Sequence, residues 1–277
     1  MEILENYTNE LKRRGFAKNT ITVYSSCFTV YLNNFKGKDI RYVSEEHIKN
    51  FLLSMLDNYN ISPSYQNQLI NAIKFYYEQI LHQPRKVYYI NRPKVEKKIA
   101  VILSQDEVRR IFNECHYLKH KAILYLIYSA GLRESEVINL KLSDIDSENM
   151  VIYIQQSKGK KDRIVPLSEK TLTLLREYYK SLTPKPETYL FQGQFKEQYS
   201  ASSIREFLNK YAFLAGIKKN VYPHLLRHCF TTHSYEAGID LHLLQDVLGH
   251  KSFKTTQGYI HNSTQRVAQM STPDNAL

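Results

Sequence analysis

Six side chains in the second half of this 277-residue chain could together cut a phosphodiester: Arg133, Lys158, His224, Arg227, His250 and Tyr259. A guanidinium fork can engage two phosphate oxygens at once, and two forks can neutralise the charge that builds on a pentavalent phosphorus. The imidazoles can donate to non-bridging oxygens or handle a proton, and the ammonium can protonate a leaving alkoxide. A phenol can attack. Such a set needs no metal and no cofactor.

Arg133 follows Gly131-Leu132 and is expected near a helix start, where the potential favours an anion. Glu136, at i+3, could orient its fork from behind. Taken alone, an exposed Arg paired with Glu134 or Glu136 is the plainer reading. His224 and Arg227 fall one turn apart on one helical face behind Pro223, which suits a helix start. His228 lies at i+4 from His224 and can serve packing. His224, His228, Cys229 and His233 have spacings that could suit zinc. Helical geometry, however, turns Cys229 and His233 away from Arg227, and a cation beside Arg227 would be repelled.

Lys158 shares the segment 157–163 (SKGKKDR) with Lys160, Lys161 and Arg163. A 5′ alkoxide leaves poorly, so a general acid there would contribute about 10²–10⁴-fold. Four cations in one turn could equally be phosphate contacts. His250 follows Leu248-Gly249, a helix stop and tight turn. Tyr259 is one of 22 tyrosines, so its type says little and its position everything. A phenol with an ordinary pKa of about 10 attacks poorly unless cations favour the phenolate. Standing alone, Tyr259 would be read as a core residue beside Ile260.

The elements that must hold these groups are mostly helices. In residues 1–82, Ile3, Leu4, Tyr7 and Leu11 share a face, and Gly15 ends that helix. Ile21, Tyr24, Phe28, Tyr31, Leu32 and Phe35 follow at helical spacing. Ser44 caps a third helix with Ile48, Phe51, Leu52 and Met55 inward, and Glu45 and Glu46 suit its dipole. Ser62-Pro63 opens a fourth, with Leu69, Ile73, Tyr76, Tyr77 and Ile80 inward. Residues 83–102, with Pro84 and Pro93 and no sustained period, read as a linker. The second domain, residues 103–277, opens on the capping box Ser104-x-x-Glu107. Two helices end near Ala130 and Leu140. A β-hairpin then runs through Met150–Gln155 and Arg163–Leu167 with a cationic tip. Helices resume after Ser168, with a looser stretch between Thr183 and Tyr199. The fold class is mainly α with a small β-hairpin or sheet, in two domains.

A formal net charge of +11 favours a polyanionic partner. The linker concentrates Arg85, Lys86, Arg92, Lys94, Lys97 and Lys98 against Glu96, so it is expected to lie on nucleic acid. No Lys-rich amphipathic helix with an aromatic face favours a membrane. No apolar run is long enough to span one, and residues 1–10 lack a secretory h-region. Three scattered cysteines, Cys27, Cys115 and Cys229, make no disulfide framework and suggest the cytoplasm.

The whole pattern resembles the tyrosine recombinases, or phage-integrase family, and among them the compact Xer-like members. That family's ordered set is Arg, Lys, His-x-x-Arg, His or Trp, and Tyr. It corresponds here to Arg133, Lys158, His224, Arg227, His250 and Tyr259, with Glu136 at the acidic position. Gly258 departs from the larger residue usual before the tyrosine. The resemblance implies a four-helix SAM-like DNA-binding domain, a basic linker and an α-rich catalytic domain. It implies attack by Tyr259, a 3′-phosphotyrosyl link, a freed 5′-hydroxyl, and rejoining to a partner duplex without ATP, metal or cofactor. The partners implied are a double-stranded recombination site and further copies of the chain, four on two DNA sites, with or without an accessory or partner recombinase. The stretch 261–277, with a short helix around Thr264–Met270, would dock on a neighbouring protomer. The short N-terminal region suggests a simple-site recombinase.

Two other functions compete. A type IB topoisomerase uses a similar site to nick and rejoin one duplex. A DNA-binding regulator would keep the fold with a vestigial site, which the complete set argues against.

Overall fold

The computed structural model describes residues 2–83, 92–93, 101–155, 162–193 and 198–249. The chain divides into two compact units, Met1–Lys98 and Ile99–Leu277.

The first unit is helical: α1 (Glu2–Arg13), α2 (Lys18–Asn34), a 3-10 turn (Ile40–Tyr42), α3 (Glu45–Tyr59) and α4 (Pro63–Phe75). Local chemistry sets the starts. Ser44 Oγ accepts from His47 N at 3.3 Å, and Ser62 Oγ accepts from Tyr65 N at 3.2 Å. Each satisfies a backbone donor that the first helical turn leaves open. Asn60 ends α3 in the left-handed region at φ 45°, a conformation Asn tolerates better than most residues. The faces meet in a core of Tyr7, Leu11, Phe28, Tyr31, Ile48, Phe51, Leu52, Leu69 and Ile73, as their helical spacing predicts.

Two expectations in this unit need correction. Ile3 stays 43% exposed at the first turn of α1, where there is no preceding turn to pack beneath. The fourth helix does not continue regularly to Ile80: it widens into a π turn over Tyr76–Ile80. That turn buries both Tyr76 and Tyr77. Of the expected linker, Arg92 is described, and it donates to the amide oxygens of Asn67 and Asn71 on α4 at 3.0 and 2.9 Å.

The second unit opens with α5 (Gln105–Glu114), where the capping box forms as read: Glu107 N donates to Ser104 Oγ at 3.1 Å and Ser104 N to Glu107 Oε2 at 2.7 Å. Its centre is α6 (Leu118–Ser129), whose Ala122, Ile123, Leu124, Leu126 and Ile127 have no exposure. Each such Leu or Ile contributes roughly 1.5–3 kcal/mol by leaving water. Against α6 pack α8 (Glu169–Ser181), α9 (Ala201–Leu214) and α10 (Pro223–Glu236). The short α7 (Glu134–Asn139) leads to a sheet of order β1 (Ile145–Asp146), β2 (Val151–Ile154), β3 (Arg163–Pro166), all antiparallel. The two-residue β1 was not read from the sequence. An Asx turn forms it, with Asp146 Oδ1 accepting from the backbone N of Glu148 and Asn149. Finally α11 (Leu241–Leu248) ends at Gly249, φ 61°, and packs on α10 and β3.

Candidate active site

The site begins with a turn that only glycine fits. Between α6 and α7 the chain reverses through Gly131 at φ +63°, and a Cβ there would lie 2.6 Å from the Phe230 ring. That turn delivers Arg133 to the N-cap of α7, in extended backbone. Glu136, three residues on, takes two bonds from it: Arg133 N donates to Oε2 at 2.7 Å and Arg133 Nη1 to Oε1 at 2.7 Å. The expected partnership of Arg133 with Glu136 is therefore formed. Glu134 turns away and accepts from Arg205 on α9 at 2.7 and 3.2 Å.

Arg227 comes from α10 and is 1% exposed. Its Nη1 donates to Gly131 O and its Nη2 to Leu248 O, the latter at 2.6 Å; Nη1 also stands 3.9 Å from Glu136 Oε2. Arg133 Nη2 donates to the same Leu248 carbonyl at 3.2 Å. That carbonyl ends α11. The last carbonyls of a helix lack intrahelical partners and carry the negative end of its dipole, so cations settle there. Two arginines that a phosphate would need together are thus brought together by one helix terminus.

Arg163 corrects the sequence reading. Its place beside the cationic tip predicts a DNA contact, but its side chain is 6% exposed. As the first residue of β3 it faces the interior with Val165, while Ile164 between them faces solvent. Its Nη1 and Nη2 donate to Glu136 Oε1 and Oε2 at 2.8 and 2.7 Å, and its Nε to Val247 O at 2.7 Å. A buried guanidinium needs partners for its donors, and here protein groups supply them. The strand's two-residue period carried this signal: Arg163, Val165 and Leu167 alternate onto one face.

Glu136 thus accepts four bonds, near the capacity of a carboxylate. Its burial alone would raise its pKa, but the Arg163 bonds and charge, with those of Arg133, outweigh that and hold it at about 2. It stays anionic and offsets the three arginines.

His224, on the first turn of α10, keeps an exposed edge beside Arg133. Desolvation, then the charges of Arg227 and Arg133, lower its pKa, so it is neutral near pH 7. Its ring meets that of His228 edge-on, centroids 4.2 Å apart. Leu132, Arg133, Glu134, Ser135, Arg205, Pro223 and His224 line a recess of about 280 Å³. This recess joins an arginine with an open face to an imidazole able to accept or donate one proton.

The zinc alternative finds no ligand set among the described residues. His233 Nε2 donates to Leu103 O at 3.0 Å, so its Nδ1 accepts from Tyr128 OH at 2.9 Å. Burial pushes the Cys229 thiol up to about 11. Lys158, Lys160, Lys161, His250, Gly258 and Tyr259 lie outside the described residues, as do Arg85, Lys86, Lys94, Lys97, Lys98 and the expected helix around Thr264–Met270.

Residues 102–266 match the model of the phage integrase family, and residues 3–86 match that of the phage integrase N-terminal SAM-like domain. The chain belongs to the phage integrase family. Relatives about a third identical include tyrosine recombinases. One, XerA of Pyrococcus horikoshii, is 34% identical over 97% of this chain and 92% of its own length. Another, from Pseudothermotoga lettingae, is 34% identical over 94% of this chain and 93% of its own. Among solved structures, a XerA recombinase is 28% identical with a TM-score of 0.58, covering 97% of this chain and 96% of that one. A XerH recombinase bound to palindromic difH substrate as a post-cleavage complex shares the fold at a TM-score of 0.76 and 23% identity, over 94% of this chain and 81% of that one. A lambda integrase tetramer bound to a Holliday junction does so at 0.75 and 18%, over 93% and 76%. The compact, Xer-like form expected of this family member agrees with these relatives.

Proposed function

We propose that this integrase-family chain is a site-specific DNA recombinase that cuts and rejoins DNA through a 3′-phosphotyrosyl intermediate. The observation that carries the reading is the convergence of Arg133 and Arg227 on Leu248 O and Glu136, beside His224. A scissile phosphate in the recess would meet the open face of Arg133. Arg227, more deeply placed, would reinforce the positive potential beneath it.

In this mechanism the Tyr259 oxygen attacks phosphorus, and the bond from phosphorus to the 5′ oxygen breaks. The proton lost by the phenol passes to His224 or to solvent, and Lys158 gives one to the departing 5′ oxygen. Preorganised cations stabilise the charge on the pentavalent centre, and His250 adds a donor. A 5′-hydroxyl of the partner duplex then attacks the phosphotyrosine and restores the phenol. One phosphoester replaces another at each step, so no outside energy source enters. The supporting role of Glu136 is to hold Arg133.

Residues 1–82 form the helical DNA-binding domain in this reading, residues 83–102 the basic linker, and residues 103–277 the catalytic domain. Arg85, Lys86, Arg92, Lys94, Lys97, Lys98, Lys160 and Lys161 contact phosphates. Four copies assemble on two duplexes, with residues 261–277 of each docking on a neighbour. The cytoplasm is the compartment: the three cysteines are free and buried, and no helix among the described residues is long and apolar enough to cross a membrane.

A nicked duplex that loses its short 5′-hydroxyl strand after cleavage traps the intermediate. Wild-type protein should give a covalent adduct, mapped by mass spectrometry to Tyr259. The Tyr259→Phe protein should bind the same DNA and give none. An adduct on another residue would overturn the mechanism. Relaxation of a one-site plasmid without recombination of two sites would favour the topoisomerase function instead.

A further inference from the structure

We propose that Arg163 is a positioning residue, which sets the guanidinium of Arg133 by fixing both of its supports. The proposal rests on the recombinase reading above and deepens it. Arg133 is held at two points, Glu136 Oε1 through Nη1 and Leu248 O through Nη2. Arg163 grips the first directly, meeting both carboxylate oxygens, and grips the second one residue away at Val247 O.

A carboxylate bound by one guanidinium can pivot about its terminal bond. Here Arg133 N and Nη1 each hold one oxygen and the Arg163 fork adds a second bond to each, so Oε1 stays where Arg133 needs it. The bond from Nε to Val247 likewise fixes the end of α11 against β3. Stability alone gives little reason for this arrangement, since a buried ion pair is often no better than apolar packing of the same volume. Its gain is geometric: the open edge of Arg133 is aimed at the recess it shares with His224. Arg163 touches no substrate, because its own nitrogens are spent on the protein. A lysine cannot replace it. One ammonium lacks the planar fork that reaches two carboxylate oxygens and a carbonyl together.

The test measures adduct formation by the full chain on two nicked duplexes. One carries an ordinary scissile phosphodiester. The other carries a methylphosphonate there, in which a neutral methyl replaces one non-bridging oxygen. The neutral group needs less of an aligned fork. On the phosphodiester, Arg163→Lys and Arg163→Met should slow adduct formation about 10²-fold, the usual loss for one misplaced donor. On the methylphosphonate the gap to wild type should shrink at least about tenfold, as alignment of that donor ceases to matter. DNA binding in native gels should be unchanged. In an Arg133→Ala background, Arg163→Lys should cost no further rate, which keeps the proposal testable if the methionine variant folds poorly. Equal slowing on both substrates, equal slowing in the Arg133→Ala background, or no slowing at all would overturn it. A wild-type protein that forms no adduct on the phosphodiester refutes the recombinase reading itself, a distinct result.

Discussion

The two units bury polar groups in opposite ways. In the first, the largest buried polar side chains are phenols with neutral partners. Tyr7 OH donates to Ala72 O at 3.0 Å, Tyr77 OH donates to Ile40 O at 2.6 Å, and Tyr31 OH lies 2.8 Å from Tyr77 OH. Desolvation raises the pKa of all three, Tyr77 to about 12, so they are inert. In the second, the central buried groups are ions: Arg227 and Arg163 around Glu136. Burying a neutral phenol on a carbonyl fixes a helix and silences the oxygen. Burying a carboxylate among guanidiniums keeps charge in place where a phosphate can use it. A nucleophilic tyrosine needs the second setting, which is why 22 tyrosines say little and the arginines say much.

Breaking the ionic centre should have the largest effect. Arg227→Ala leaves Leu248 O and Gly131 O short of a donor and weakens the balance around Glu136. We expect adduct formation to fall by at least about 10³-fold, with a stability loss of about 3–5 kcal/mol in urea unfolding. The next effect comes from the turn that delivers Arg133. Gly131→Ala must hold an L side chain at φ +63° and displace Phe230. The left-handed backbone alone costs roughly 1–2 kcal/mol, and the clash adds to it. Denaturation should show the full loss, and adduct formation should slow because Arg133 shifts.

A contrasting result is expected from the phenolic core. Tyr77→Phe removes the donor to Ile40 O and should destabilise the first unit by about 1–3 kcal/mol. The cleavage rate of DNA-bound, folded protein should be unchanged. A cleavage defect as deep as that of Arg227→Ala would show that the two kinds of buried polar group are not functionally distinct.

The smallest effect is pH dependence. Desolvation is the first cause that lowers the pKa of His120, His224 and His233, with His120 reaching about 4 from an ordinary 6.5. His120 is enclosed by Tyr199, Tyr211 and a stacked Phe207. Below about pH 6.5 the unfolded chain binds protons these folded histidines refuse, so stability is complete above that pH and declines beneath it. Glu136, depressed from 4.5 to about 2, adds a second decline below pH 4.5. Thermal melting from pH 8 to 4 should show the first decline, and Glu136→Gln should make the second shallower in acid titrations.

Much of the fold was legible because it rests on local chemistry. Ser44, Ser62 and Ser104 cap the helices they were expected to cap, since an N-cap needs only a side chain and a backbone donor three residues apart. The pairing of Arg133 with Glu136 was legible for the same reason. Arg163 is less legible, because a cation next to a cationic turn looks solvated while the alternation of its strand turns it inward. The π turn at Tyr76–Ile80 leaves no local mark, since it is set by what the tyrosines pack against.

The sequence by itself determined the order of reactive side chains, the helices that carry them and the excess of positive charge. Those depend on residue type and on neighbours within a turn or two. Only the tertiary structure decided which cations are open to a phosphate and which are spent holding others. Leu248 O, shared by Arg133 and Arg227, is a backbone atom with no signature in residue type. Glu136 can join Arg133 to Arg163 only because the tertiary fold brings the side chains of α7 and β3 within hydrogen-bond reach, and burial then makes each unmatched charge too costly to leave.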